Sequence, residues 1–274
     1  LFVNSIKSAI PDSGFLMFAD DLKIFRRIDS FANCLTLQNE LNTLVLWFKS
    51  IGLQFNIDKC KSMCFTRSRS PIVKAYSING ASIDMVTTKK DLGVIFCSDL
   101  NFHTHLESIC CRAFKTLGFV IRTSKNFKMT SSLTTLYCSL VRPLLEYASV
   151  LWDPYTATDS SHLEQVQRRF LSSAANILGI HHIKHDYLPV SNKLGLISLV
   201  DRRMTANLVF LSKLINGYID APSLLSQVNF RVPSRFSRSC FPFVIPFHHT
   251  NYGKNNPIDR MMRLANEHPT LFSL

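Results

Sequence analysis

The sequence lacks any long apolar run. Its longest apolar stretches, such as LGFVIR and YASVLW, fall well short of the roughly 18 residues that a helix needs to cross a bilayer. The opening residues, LFVNSI, also lack the charged-then-apolar order of a signal peptide. These absences exclude a membrane-spanning helix, and we expect no membrane partner.

Acidic residues are scarce relative to basic ones. The 274 residues contain 31 Lys plus Arg against 19 Asp plus Glu, a formal net charge of +12. A field of this sign favours a polyanionic partner, and nucleic acid is the first candidate. Charge alone also fits an ordinary basic protein. The 46% hydrophobic content allows a packed core in one large domain or two ordinary ones.

Cysteine motifs of the zinc-binding kind are incomplete. Cys60 and Cys64 have the spacing of half a zinc site, but no second pair follows at a usable interval. The histidines His181, His182 and His185 lack a cysteine or carboxylate partner at ligand spacing. We therefore expect reduced, mostly buried thiols and solvent-facing or phosphate-contacting histidines.

Residues 1–97 show the alternation of short strands, with no internal repeat. Apolar runs flank Ala19-Asp20-Asp21, which predicts a β-hairpin with the aspartates at its tip. Asp29 or Ser30 can cap a helix that ends near Gly52. Asn79-Gly80 predicts a second hairpin, and DLGVIF predicts a further strand.

Residues 98–217 show helical periodicity, so the fold class is α+β, with antiparallel strands and a covering helix followed by a helical bundle. Ser161 and Glu164 form a possible capping box. Pro143 predicts a kink or break, and the last clear helix stops at Gly217. Residues 218–274 have no clear period and predict an irregular basic segment that leans on the bundle.

Asp20 and Asp21 are the candidate chemical site. Adjacent carboxylates on a rigid turn suit Mg²⁺, which prefers oxygen ligands and usually keeps one or two carboxylates plus substrate phosphates. Two-metal phosphoryl transfer needs such groups beneath the incoming phosphate. Asp-Asp pairs are also ordinary turn formers, so the motif alone is not specific.

The order of motifs is more specific. FADD in a hairpin, a helix, GLQFNIDK and then DLGVIF follow one another, and this order resembles the palm of reverse transcriptases from non-LTR retrotransposons of the jockey-like kind. Downstream, LVRPLLEYASVLWDPY, LEQVQRRFL and LINGYIDAPSLL resemble the segments that follow that palm. The resemblance covers nearly the whole chain, and its matching positions are Phe18, Ala19, Asp20, Asp21, Gly52, Leu53, Asn56, Lys59, Leu92, Gly93 and Val94.

The resemblance implies an RNA-directed DNA polymerase with Mg²⁺ as cofactor and an RNA template, a DNA primer and dNTP as partners. Asp20 would be the principal metal ligand and catalytic carboxylate, with Asp21 in support. Lys59 would lie near the nucleotide phosphates, although a solvated strand-end lysine is an equally good interpretation. The implied primer contacts are Phe18, Ala19, Leu92 and Gly93.

The helical half would act as a thumb that presents cations to phosphates. The candidates for nucleic-acid binding are Arg112, Lys115, Arg122, Arg168 and Arg169. Each is also explained as a residue on a solvated helix face.

The resemblance also implies parts that we do not find in the chain. The family palm takes a further aspartate from an upstream strand, so we expect the fingers, that aspartate and any endonuclease domain to belong to a missing N-terminal polymerase segment. Ser5 stands where the family tends to have aspartate, and Asp91 where an aromatic residue is common. Because two carboxylates offset two metal ions poorly, we predict that the isolated chain does not polymerise.

Two further functions stay open. The chain could be a non-catalytic nucleic-acid-binding remnant or a helical interaction protein without a nucleic-acid role. The resemblance places such proteins in the nucleus and the cytoplasm.

Overall fold

Two units make up the chain in the computed structural model, Leu1–Asn101 and Phe102–Leu274. The structure describes residues 6–127, 129–232 and 241–272. Ser5, one of the positions where the sequence departs from the family, lies outside these residues. The first unit mixes strands and helices and the second is mainly helical, which confirms the predicted α+β class.

The first unit contains short strands that pair as small two-stranded sheets. The elements in chain order are α1 Ile6–Ala9, β1 Gly14–Phe18, β2 Asp21–Phe25, α2 Phe31–Ser50, a 3₁₀ turn Ile57–Lys59, β3 Lys61–Ser62, β4 Ser77–Ile78, β5 Ala81–Ser82, β6 Asp84–Met85, β7 Thr88–Asp91 and β8 Val94–Cys97. β1 pairs with β2, β4 with β5, and β7 with β8, all antiparallel, whereas β3 pairs with β6 in parallel.

One face of the β1–β2 hairpin packs against the helices of this unit. Alternation along the strands places Phe15, Leu22 and Ile24 on that face. They pack against a buried cluster formed by α1, α2 and the residue after α1, namely Ile6, Ala9, Ile10 and Leu44. Burial of this face therefore fixes which side of the hairpin points to solvent.

Local signals place the ends of α2 and the second hairpin as predicted. Ser30 is the N-cap of α2, and Asn33 Oδ1 accepts hydrogen bonds from the backbone N–H groups of Asp29 and Ser30 at 3.1 and 2.9 Å. Asn79 and Gly80 have φ of 52° and 79°, as a type I′ turn requires.

The second unit is a set of helices around two long central ones. The elements are α3 His103–Thr123, α4 Thr130–Leu136, a π-helical turn Tyr137–Val141, α5 Arg142–Glu146, α6 Ser149–Trp152, α7 Ala157–Leu178, α8 Leu188–Leu194, α9 Leu199–Ile215, α10 Pro222–Leu225, α11 Asn251–Lys254 and α12 Pro257–Glu267. α3 packs on α7, and α9 packs on α12.

The kink or break predicted at Pro143 takes the form of a π-helical turn in an otherwise continuous helical stretch. Pro143 lies in the first turn of α5, directly after the π-helical turn, where its missing N–H costs little. Ala148, with φ of 55°, then separates α5 from α6. The helix predicted to end at Gly217 also ends there, since α9 stops at Ile215 and Gly217 has φ of 74°.

Two predictions for this unit are wrong. Ser161 does not begin α7, because Thr156 caps it and accepts a hydrogen bond from the Asp159 N–H, while Glu164 Oε1 accepts from the Val200 N–H at 2.9 Å. Residues 218–274 are not irregular throughout. α12 inserts Met261 and Met262 into a buried cluster with α9.

Candidate metal-binding hairpin and nucleic-acid surfaces

The candidate carboxylates lie at the tip of the β1–β2 hairpin. Phe18 and Asp21 are register partners, so Ala19 and Asp20 form a two-residue turn, in which Ala19 has φ of 53°. Asp20 and Asp21 are both exposed. No described residue forms a hydrogen bond or ion pair with either carboxylate, and their oxygens therefore point to solvent without a competing cation.

These two side chains offer the oxygen donors that Mg²⁺ takes, and one or two carboxylates are what it commonly receives from a protein when substrate phosphates supply the rest. Asp20 and Asp21 would hold the ion, which would offset negative charge on phosphate oxygens. Within the described ranges, no group of three or more His, Cys, Asp or Glu side chains could hold a metal. The donor chemistry fits part of a two-metal site.

A buried glutamate anchors the start of the hairpin. Glu40, on α2, is 6% exposed. Its Oε1 accepts from the backbone N–H groups of Asp12 and Ser13 at 2.7 and 3.1 Å, and its other oxygen accepts from the Ser13 hydroxyl. Arg26, just after β2, places Nη1 3.6 Å from Glu40 Oε2. One carboxylate thus contacts both open ends of the hairpin, and no local pattern in the sequence predicts this contact.

Gly14 leaves room for the ring of its cross-strand partner. Gly14 and Phe25 are register partners, and a Cβ added to Gly14 would lie 2.4 Å from Phe25 Cε2. The phenylalanine ring therefore lies across the glycine. Any side chain at this position would displace it.

The LGV motif forms the turn of the β7–β8 hairpin, which contacts the β1–β2 hairpin. Leu92 and Gly93, with φ of 43° and 88°, make the two-residue turn between β7 and β8. Asp91 Oδ2 lies 2.6 Å from Lys23 Nζ on β2. The residue that departs from the family pattern therefore provides an ion pair between the hairpin of Asp20 and Asp21 and the hairpin of Leu92 and Gly93.

Lys59 ends the 3₁₀ turn that the GLQFNIDK segment forms. The carbonyl of Asn56 accepts from the N–H groups of Lys59 and Cys60 at 3.1 and 3.2 Å, and Gly52 has φ of 77°. The Lys59 side chain is exposed, and no described carboxylate lies within ion-pair distance of it. It remains available to a phosphate, which stays a prediction.

The predicted cations of the helical unit are exposed on its two long helices. Arg112, Lys115 and Arg122 lie on one side of α3, because residues three and seven apart share a helix face. Arg168 and Arg169 lie on α7, which packs on α3. All five are exposed, and none forms an ion pair with a described carboxylate. They offer uncompensated positive charge to a polyanion.

The YASVLWDPY segment has a structural role that the sequence did not reveal. Arg203, on α9 and 2% exposed, donates from Nε to Asp153 Oδ1 at 2.9 Å. Asn207 donates to the other oxygen of Asp153 at 2.8 Å. Arg260 of α12 donates to the Val150 carbonyl at 2.6 Å, and burial lowers the pKa of its guanidinium. Arg260 Nε also lies 3.9 Å from Asp153 Oδ2, so the Asp153 carboxylate at the end of α6 contacts both α9 and α12.

The thiols of the described residues are free, as predicted. They belong to Cys34, Cys60, Cys64, Cys97, Cys110, Cys111 and Cys138. Only Cys34 and Cys110 among them are buried, so the prediction that most thiols are buried is wrong. Burial raises the pKa of the Cys110 thiol to about 11, so it stays protonated at neutral pH and is a poor nucleophile.

Comparison with known proteins agrees with the motif order. Over 176 residues the chain is 26% identical to "Probable RNA-directed DNA polymerase from transposon BS" of Drosophila melanogaster. The match covers 61% of this chain and 19% of the relative, so the chain spans about a fifth of the length of that protein. The similarity confirms the resemblance to retrotransposon reverse transcriptases.

Two other comparisons gave no match. No protein-family model matches the chain, and no solved structure is significantly similar to it. Across the described residues, no helix combines the length and apolarity that a membrane crossing requires.

Proposed function

We propose that the chain supplies the Asp-Asp hairpin and a thumb-like helical unit to an RNA-directed DNA polymerase of a non-LTR retrotransposon. The observation that carries this proposal is the β-hairpin that exposes Asp20 and Asp21 without any described cation beside them. The similarity to the transposon polymerase supports it. The intact protein would use RNA template, DNA primer and dNTP, with Mg²⁺ bound by these carboxylates.

The residues have distinct proposed roles. Asp20 is the principal metal ligand and Asp21 supports it. Phe18 and Ala19 lie beside the carboxylates at the hairpin tip, where a primer end would meet the metal. Leu92 and Gly93 form the neighbouring turn and would contact the same primer, because the Lys23–Asp91 ion pair joins the two hairpins.

The metal site proposed for the isolated chain is incomplete. Two metal ions need more carboxylate charge than Asp20 and Asp21 provide, and the described residues contribute no third ligand to a cluster. Further carboxylates and the nucleotide-binding fingers would come from polymerase sequence outside these 274 residues. The chain alone would therefore bind nucleic acid without extending a primer.

A non-catalytic nucleic-acid-binding role is the second candidate. The exposed cations of α3 and α7 favour it, because they lack described acidic partners and would release counterions from a duplex. Binding that is independent of Mg²⁺ and of Asp20 would fit this role. For either role, the resemblance implies that the protein would assemble with RNA in the cytoplasm and work in the nucleus.

Primer extension on an RNA template tests the proposal. The chain alone should bind an RNA–DNA hybrid without extending the primer. A fusion that adds the polymerase sequence preceding the matched region of the transposon relative should extend it with Mg²⁺. Asp20→Asn should abolish that extension, and Asp29→Asn, an exposed aspartate that pairs with Arg27, should leave it intact.

Two outcomes would count against the proposal. Extension by the chain alone, lost in Asp20→Asn, would show that its metal site is complete. Failure to bind the hybrid at low salt would contradict both candidate functions.

A further inference from the structure

The segment between the two candidate hairpins is strongly basic. Within residues 59–90 the acidic residue is Asp84, and the basic residues are Lys59, Lys61, Arg67, Arg69, Lys74, Lys89 and Lys90. Asp84 is already paired, because its Oδ2 lies 2.6 Å from Lys61 Nζ. Lys89 is exposed and has no ion pair with a carboxylate of the described residues. The net charge of this segment is complementary to a polyanion.

An exposed aromatic side chain, Phe65, lies within this basic segment. Phe65 is 51% exposed, and its ring meets Phe96 edge-to-face, with centroids 6.5 Å apart and an interplanar angle of 76°. The next residue, Thr66, donates its backbone N–H to the Ser98 carbonyl at 3.1 Å. The ring is therefore held by the end of β8 while half of the side chain stays open to solvent.

Lys89 lies opposite the ring that supports Phe65. Lys89 and Phe96 are register partners in the β7–β8 hairpin, so their Cβ atoms are about 5 Å apart. The ring of Phe96 in turn contacts the ring of Phe65. An exposed aromatic ring and an exposed cation therefore lie close together.

We propose that Phe65 and Lys89 form a contact site for a single-stranded stretch of nucleic acid. An unpaired base would stack on the Phe65 ring, and Lys89 would contact a flanking phosphate. An aromatic ring can stack only on a base whose face is open. The bases of a duplex are already stacked on one another, so the site should prefer a single strand. The inference rests on the proposed function, since it adds a template or primer contact to it.

Fluorescence anisotropy on the full chain tests this site with labelled dT₂₀, U₂₀ and a 20-base-pair duplex. Phe65→Leu keeps an apolar side chain but removes the ring, so single-strand affinity should fall about tenfold and duplex affinity should not change. Lys89→Gln should weaken binding to the single strands and reduce the salt slope by about one. Equal losses on dT₂₀ and U₂₀ would mean that the site accepts both DNA and RNA. A loss on dT₂₀ alone would assign the site to DNA, and a loss on U₂₀ alone would assign it to RNA.

Phe31→Leu is the matched control. Phe31 is 54% exposed, but Lys74 Nζ lies 5.7 Å from its ring centroid and covers the face that a base would use. Unchanged single-strand binding in Phe65→Leu, or an equal loss on the duplex, would overturn the proposal. Asp20→Asn separates this inference from the proposed function, because it should abolish extension by the fusion and leave single-strand binding intact.

Discussion

Lys23 Nζ and Asp91 Oδ2 lie 2.6 Å apart, and through them the hairpin that carries Asp20 and Asp21 contacts the hairpin formed by Leu92 and Gly93. The side chains are 35% and 27% exposed, so water screens the pair in part. The ion pair joins the two hairpins.

Reversal of both charges tests this contact. Lys23→Asp and Asp91→Lys should each lower the free energy of unfolding of the first unit, and the double variant should recover most of the loss. A partly exposed pair contributes about 0.5–1 kcal/mol. Each single reversal also sets two like charges against each other, so the coupling energy from urea unfolding should exceed that range. Additive single effects would mean that the ion pair does not form in solution.

Glu40→Gln should loosen the hairpin at its base. The change keeps the side-chain shape but weakens the bonds to Ser13 and leaves Arg26 without its nearest carboxylate. We expect a loss of about 1–3 kcal/mol in the free energy of unfolding and faster hydrogen exchange at the backbone amides of Asp12 and Ser13. Glu267→Gln, at an exposed helix end, is the control. Equal exchange rates in the two variants would contradict the anchor.

Asp153→Asn should destabilise the second unit severely. Arg203 and Arg260 are 2% and 7% exposed, and loss of the carboxylate would leave two buried guanidinium groups uncompensated. Breaking a buried pair of this kind costs about 3–5 kcal/mol. The exposed Asp220→Asn should have almost no effect. Thermal unfolding of both variants measures the difference, and similar melting temperatures would contradict the role assigned to Asp153.

His103 links stability to pH. His103 Nδ1 donates a hydrogen bond to Asp159 Oδ1 at 2.7 Å, and this bond, together with the charges of Asp159 and Glu107, raises the pKa of His103 above its ordinary value. Because the folded pKa exceeds the unfolded one, the stabilisation is fully present below the unfolded pKa of about 6.5 and is lost as pH rises through the folded pKa.

Urea unfolding as a function of pH measures this linkage. The second unit should lose stability from about pH 6.5 upward, and His103→Asn should remove that part of the slope. His181→Asn, in an exposed loop, serves as the control. A slope that is identical in all three proteins would mean that His103 does not gain its partner on folding.

Local signals made much of the fold predictable. The turn at Asn79-Gly80, the cap at Ser30 and the kink or break at Pro143 each depend on a few adjacent residues, and the structure has all three. The same rule failed at Ser161, because Thr156 offers an earlier cap. Local chemistry predicts an element well and its boundary less well.

Long-range polar contacts were not predictable. Glu40 binds residues 27 and 28 positions away, and Asp153 binds residues 50 and 54 positions away. Helix α12 was missed because Asp259 and Arg260 are buried, so its charges fall on the face that periodicity assigns to apolar residues. The hairpin tip was found because adjacent aspartates and their flanking strands are all local.

Paramagnetic broadening by Mn²⁺ tests most directly whether the hairpin holds a metal. Titration of the isotope-labelled chain with Mn²⁺ should broaden the backbone amide signals of Ala19, Asp20 and Asp21 before others. Asp20→Asn should abolish this selectivity, and Asp29→Asn should preserve it. Broadening that is unchanged in Asp20→Asn, or that begins elsewhere in the chain, would contradict the metal-binding role of the hairpin.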